Sequence, residues 1–215
     1  MIKRELYMNR IRPFIGGELI KVMTGIRRSG KSVMLELIKE ELAEAGVAPS
    51  QMISINFEDM RYSHLQTATA LHDEIIKRAE GIEGKAYLFF DEIQEVEGWE
   101  KCVNSLRVAL DCDIYITGSN AKLLSGELAT YIGGRYVEFV IYPFSFAEFL
   151  ELYHTIAPSD SIQQCFQKYL LAGGMPYLAN LRYEEEPSRQ YLTDLFNSVQ
   201  LKDICLLYTS DAADE

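Results

Sequence analysis

Cysteine and histidine are scarce in this chain, four and three among 215 residues. Cys102, Cys112 and Cys165 lack metal-ligand spacing and read as reduced thiols, which argues against a zinc site or a disulfide framework. His64, His72 and His154 form no cluster and take no role. No apolar run is long enough to cross a bilayer, and the amino terminus lacks the apolar stretch of a signal peptide. Positive charge is in deficit: 21 lysines and arginines face 32 acidic residues, a formal net charge of −11. That balance argues against a broad nucleic-acid-binding face while leaving room for a local basic patch. Internal repeats are missing. These absences describe a cytoplasmic chain without a membrane segment, on the scale of one α/β domain plus a small lid.

What is present begins with Gly25-Ile26-Arg27-Arg28-Ser29-Gly30-Lys31-Ser32, the pattern G-x-x-x-x-G-K-[ST] of a phosphate-binding loop. Two glycines let the backbone curl so that successive N–H groups point at phosphate oxygens. Lys31 reaches the β- and γ-phosphates, and the Ser32 hydroxyl suits the accompanying Mg²⁺. The cofactor-binding set is Gly25, Arg28, Ser29, Gly30, Lys31, Ser32 and Val33. The flanks support it: residues 18–23 read as a strand entering the loop. Met34, Leu35, Ile38, Leu42 and Ala45 then repeat with the period of a helix burying one face. That helix aims the positive end of its dipole at the same anion.

A second motif addresses hydrolysis. Tyr87-Leu88-Phe89-Phe90 is the continuous apolar run of a central parallel strand, and it ends in Asp91-Glu92. Two carboxylates at such a tip serve chemistry at the carboxyl edge of the sheet, where ligands of doubly wound folds bind. Asp91 is expected to hold Mg²⁺ through water, and Glu92 to act as general base on the water attacking the γ-phosphate.

Asp113-Ile114-Tyr115-Ile116-Thr117 is a further strand, followed by Gly118-Ser119-Asn120. Ser119 is the first choice and Asn120 the second for sensing the γ-phosphate or the attacking water. Either instead caps a helix around residues 122–128. Arg135, just before the strand-like 136–141, reads equally as a finger reaching a neighbouring subunit's nucleotide or as a surface arginine. Met52–Phe57 alternates as a strand near one side of a sheet, and helices are expected over Thr67–Gly81 and Gly98–Leu110, with Trp99 a packing anchor. Ala157-Pro158-Ser159-Asp160 reads as a hinge into the lid. Strand–helix alternation gives a parallel sheet with right-handed crossovers.

The chain resembles the AAA-type ATPases of bacteria and archaea that carry a C-terminal domain of unknown function, within the P-loop class that includes signalling STAND ATPases. The residues that carry the resemblance are the double-arginine loop Gly25–Ser32, Phe90-Asp91-Glu92-Ile93-Gln94 with Gly98-Trp99-Glu100, and Thr117-Gly118-Ser119. Gly134-Arg135, Pro143-Phe144-Ser145-Phe146-Ala147-Glu148-Phe149-Leu150 and Gly173-Gly174-Met175-Pro176 complete the set. The resemblance implies a three-layer α/β P-loop NTPase of the AAA type followed by a small helical lid, ATP binding with Mg²⁺, and hydrolysis. Gly174-x-Pro176 resembles the lid motif of STAND-like ATPases and reads equally as a helix stop and restart.

The expected organisation is an ATPase core with an N-terminal helical segment over residues 1–155, then a helical lid and the start of a truncated C-terminal region over 156–204. Residues 205–215 resemble a translated adapter from transposon-based sequencing libraries and are set aside from fold reasoning. The expected function is ATP hydrolysis coupled to lid motion, in a homo-oligomer or acting on a protein or nucleic-acid client through the missing region. The alternatives are a nucleotide-gated switch in a signalling or defence assembly, and a P-loop small-molecule kinase.

Overall fold

The computed structural model describes residues 2–118 and 132–199. Their contacts divide the chain into two units, one built on Lys3–Ile26 and Gly30–Ile141, the other on Met1–Ile2, Arg27–Ser29 and Tyr142–Glu215.

The first unit is a five-stranded sheet of β1 (Ile20–Thr24), β2 (Met52–Asn56), β3 (Ala86–Asp91), β4 (Cys112–Thr117) and β5 (Tyr136–Val140). The strands lie in the order β2-β3-β4-β1-β5 and every pairing is parallel. All carboxyl ends therefore open on one edge of the sheet. β4 lies between β1 and β3, so the turns after β1 and β3 flank the end of β4. β1 is buried at all five positions, as a strand covered on both faces must be. β2, the alternating strand, takes one edge and is exposed at Ser54 and Asn56.

Helices cover both faces. On one side α1 (Glu5–Ile11) and α2 (Lys31–Glu44) pack Met8, Ile11, Met34, Leu35 and Ile38 against Met23, Phe89 and Tyr115. On the other, α3 (Ala68–Ala79) and α4 (Trp99–Ala109) pack Leu71, Ile75, Val103 and Leu106 against Val22, Leu88, Phe90 and Ile116. The alternation of Leu88, Phe89 and Phe90 between the two cores is the two-residue period of a strand. Each such side chain contributes about 1.5–3 kcal/mol on burial. Trp99 is 4% exposed within the second core, so it packs as its sequence context suggested.

A buried ionic network pins the amino ends of β1 and β4. Lys21 pairs with Asp113, whose other oxygen accepts from the Tyr115 hydroxyl at 2.7 Å and the Gly16 N–H at 2.6 Å. The Lys21 ammonium also donates to the Gly17 carbonyl at 3.1 Å. Both partners of the pair are fully buried, and burial pulls the Lys21 ammonium below the ordinary lysine range.

The second unit holds α5 (Phe146–Tyr153), α6 (Ile162–Ala172) and α7 (Glu185–Val199). Both α5 and α6 start on reciprocal caps: Ser145 with Glu148, and Ser161 with Gln164. Phe149, Tyr153, Cys165, Leu178 and Tyr183 form its core. The division at Ile141–Tyr142 falls earlier than the expected hinge at Ala157–Asp160, because the apolar face of α5 packs in this cluster. Phe149 touches the rings of Tyr153, Tyr169 and Tyr183 with centroids 5.0–5.2 Å apart. The Gly-Gly pair does two jobs. Gly173 ends α6 at φ 74°. Gly174 lets the Phe144 backbone approach: Phe144 N–H donates to Gly174 O at 2.7 Å, and an added Cβ would sit 2.1 Å from the Phe144 carbonyl oxygen.

Candidate nucleotide site

Four sequence-picked residues meet at the carboxyl edge of the first unit's sheet. β1 ends at Thr24 and Gly25 follows at φ 138°; Gly30, at φ 101°, then caps the first turn of α2. Such backbone angles favour glycine, so the chain can turn sharply from strand into helix. Lys31 and Ser32 are the first two residues of α2. Lys31 is 5% exposed, with its ammonium 3.3 Å from the Gly25 carbonyl, 3.4 Å from that of Ile26 and 3.8 Å from Glu92 Oε1. The Ser32 hydroxyl donates to Asp91 Oδ1 at 3.0 Å. Loop and strand-end carboxylates thus form one cluster.

Asp91 is the last residue of β3 and is 7% exposed. Burial pushes its carboxyl above the ordinary aspartate value, while hydrogen bonds from the Thr117 and Ser32 hydroxyls pull the other way. Its second oxygen accepts from Asn56 Nδ2 at 3.0 Å. A buried carboxylate beside a serine hydroxyl is a hard oxygen set, the kind Mg²⁺ prefers, and a cation there would offset the desolvation. Ser32 and Asp91 therefore fit the metal implied by the loop.

Glu92 sits just beyond the strand in a left-handed conformation, φ 56° and ψ 48°. A non-glycine residue there costs on the order of 1–3 kcal/mol and persists only where its surroundings hold it. They do: the Glu92 N–H donates to Thr117 Oγ1 at 3.0 Å, and its carboxylate accepts from Gln94 Nε2 at 2.6 Å. The Thr117 hydroxyl in turn donates to Asp91 Oδ1. One hydroxyl at the end of β4 therefore orients both acids.

Thr117, Asn56 and Gln94 were not among the sequence-picked site residues. Thr117 and Gln94 lie within the motifs that carry the resemblance, and a small polar residue ending the neighbouring strand is the available signal for Thr117. Ser119 and Asn120, chosen for the sensor position, lie outside the described residues. Asn56 gave no signal beyond ending an edge strand.

The remaining picks are elsewhere. Arg28 and Ser29 group with the second unit: Arg28 is exposed at φ 63° with its guanidinium 5.8 Å from the Tyr191 ring centre, and Ser29 is buried. Val33 is 37% exposed in the first turn of α2. Arg135 precedes β5, accepts from the Ile20 N–H through its carbonyl at 2.9 Å, and donates to Asn104 Oδ1 at 2.8 Å. That places it at the amino edge of the parallel sheet, opposite the carboxylates.

Loop, strand-end acids and strand order define a P-loop NTPase of the AAA type. A family model described as an AAA domain matches residues 18–150, and the chain belongs to that family. It is 42% identical over 205 residues to an uncharacterized protein of Haemophilus influenzae, covering 95% of this chain and 50% of the relative. It is 34% identical over 189 residues to an uncharacterized protein of Methanocaldococcus jannaschii, covering 82% and 41%. The chain thus spans half or less of the length of these curated relatives. Among solved structures, the P216G mutant of Thermotoga maritima RuvB matches with TM-score 0.54 at 14% identity, covering 93% of this chain and 68% of that one. Aeropyrum pernix Orc1, solved in complex with DNA, matches with TM-score 0.50 at 16% identity, covering 92% and 65%. At such identities the likeness is one of fold. No helix among the described residues is long and apolar enough to cross a membrane.

Proposed function

We propose that this AAA-type ATPase binds ATP with Mg²⁺ at the Gly25–Ser32 loop and hydrolyses it with Glu92 as general base. The observation that carries the reading is the convergence of Lys31, Ser32, Asp91 and Glu92, with Ser32 3.0 Å from Asp91 and Lys31 3.8 Å from Glu92. Lys31 and the loop amides bind the phosphates, with Gly30 at φ 101° turning the loop into α2. Ser32 and Asp91 would hold Mg²⁺, which when bound neutralises charge on the phosphate oxygens. Glu92 takes a proton from the attacking water at its carboxylate, a contribution of about 10²–10⁴-fold. Two acids side by side at the strand tip favour water over a small-molecule acceptor as nucleophile. Arg135, at the far edge of the sheet, could touch a transferring phosphoryl group only on a neighbouring subunit, as an arginine finger in a homo-oligomer. Turnover would be coupled to movement of the helical second unit, with the client engaged by a region like the second half of the longer relatives.

The test pairs two variants with measurement of both nucleotide binding and phosphate release. Lys31→Ala is expected to lose ATP binding. Glu92→Gln is expected to retain it while turnover falls at least 100-fold. Undiminished hydrolysis by Glu92→Gln refutes the base assignment. A switch that acts through binding alone would show, in the wild type, tight ATP binding with no multiple turnover.

A further inference from the structure

Gln94 is two residues beyond Glu92, in the short turn Ile93–Glu95. That turn is anchored on both sides. Ile93 and Val96 are buried in the core beneath α3 and α4, and Val96 N–H closes the turn on the Ile93 carbonyl at 3.0 Å. Past it, the Glu97 N–H donates to the Gln66 carbonyl at 2.9 Å. The backbone that carries Gln94 is therefore held by the core and by Gln66, and the Glu95 N–H ties it to the Glu92 carbonyl at 3.2 Å without engaging the Glu92 side chain. From this fixed base its amide nitrogen reaches Glu92 Oε2 at 2.6 Å, while its carbonyl oxygen is buried without a protein partner. The Glu92 carboxylate is a strict acceptor, so the amide must present its nitrogen there. The polar contact that Gln94 makes through this amide is with the carboxylate.

We propose that Gln94 is the positioning residue for Glu92: its amide holds one carboxylate oxygen so that the other faces the attacking water. This rests on the assignment of Glu92 as general base. A glutamate side chain has three rotatable bonds, and the left-handed backbone at φ 56° fixes only where it starts. Thr117 secures that backbone, and Gln94 secures Oε2 at the far end with a hydrogen bond, while Oε1 lies 3.8 Å from the Lys31 ammonium, beyond hydrogen-bond reach. Misplacement of a reacting group by about 1 Å costs on the order of 100-fold in rate.

The test is a double-mutant cycle on the 215-residue protein, measuring ATP turnover, ATP affinity and thermal melting. Gln94→Leu keeps the bulk and removes the donor. It is expected to lower kcat about 10- to 100-fold, with KM, nucleotide Kd and melting temperature unchanged. In a Glu92→Gln background the same change is expected to have no further effect, because Gln94 acts only through the carboxylate. A second readout needs no turnover: the Gln94 side-chain amide resonance, assigned by its loss in Gln94→Leu, is expected to shift in Glu92→Ala. An unchanged kcat in Gln94→Leu, a further loss in the Glu92→Gln background, or an amide resonance indifferent to Glu92→Ala overturns the inference. If Glu92→Gln is inactive while Gln94→Leu is fully active, this inference fails and the base assignment stands. If Glu92→Gln is itself fully active, both fall.

Discussion

Replacing Thr117 with valine isolates the hydroxyl on which both acids depend. Valine matches threonine in shape and suits a strand, so the fold of β4 is kept. Two interactions vanish. Asp91 loses the donor at Oδ1 but keeps Ser32 and Asn56, so the loss is taken at the low end for a hydrogen bond to a charged group, about 1.5 kcal/mol. The Glu92 N–H loses its acceptor in a residue already held in an unfavourable conformation, and an unpaired donor costs about 1–3 kcal/mol. The added methyl returns about 0.8 kcal/mol. The net expectation is a destabilisation of about 2–4 kcal/mol, or roughly 4–16 °C in melting temperature for a chain of this size. Thr117→Ser keeps the hydroxyl and serves as the control. The assay is urea unfolding followed by fluorescence, where a lower midpoint at unchanged slope reports the stability difference. A valine variant that unfolds at the same urea concentration as the serine variant would refute the view that this hydroxyl organises the site.

Other expectations follow from the same kind of accounting. Because burial raises the Asp91 carboxyl above its ordinary value of 3.8, the stability tied to this group is full below that pH and is lost as pH rises through the raised value. In chelator, wild-type melting should therefore drop across that window more than Asp91→Asn melting does, and parallel profiles would contradict the assignment. Lys21→Met leaves the fully buried Asp113 carboxylate with only the Tyr115 and Gly16 donors, a loss of about 3–5 kcal/mol in denaturant unfolding; less than about 1 kcal/mol would mean that the network is not held as described. Gly174→Ala forces a Cβ to within 2.1 Å of the Phe144 carbonyl oxygen. It should destabilise the second unit by well over 2 kcal/mol, read as early loss of helical signal, whereas wild-type melting would discount the close approach.

The sequence by itself determined whatever depends on neighbours along the chain. Gly25 to Ser32 dictates a loop between strand and helix because glycine's backbone freedom and the lysine spacing are local properties. The apolar period of 31–45 and the run at 87–90 settle helix and strand for the same reason: burial on one face or on both leaves a mark every three to four residues or at every residue. The abrupt Asp91-Glu92 after such a run marks where the strand ends at the carboxyl edge of the sheet. Tertiary structure alone decided which distant residues attend those acids. Thr117 reaches Asp91 across 26 positions and Asn56 reaches it across 35, contacts created by strand order and register. Gln94 lies close in sequence, yet only the anchored turn after a left-handed Glu92 directs its amide onto the carboxylate. Lys21 and Asp113, 92 positions apart, look like ordinary surface charges until the sheet buries them face to face. Arg135 shows the same limit: its residue type suits phosphate chemistry, but the parallel pairing of β1 and β5 puts it at the edge away from the acids. Local pattern specifies an element and its buried face; which element ends stand together depends on how the strands are ordered, and that order is written in no single stretch of chain.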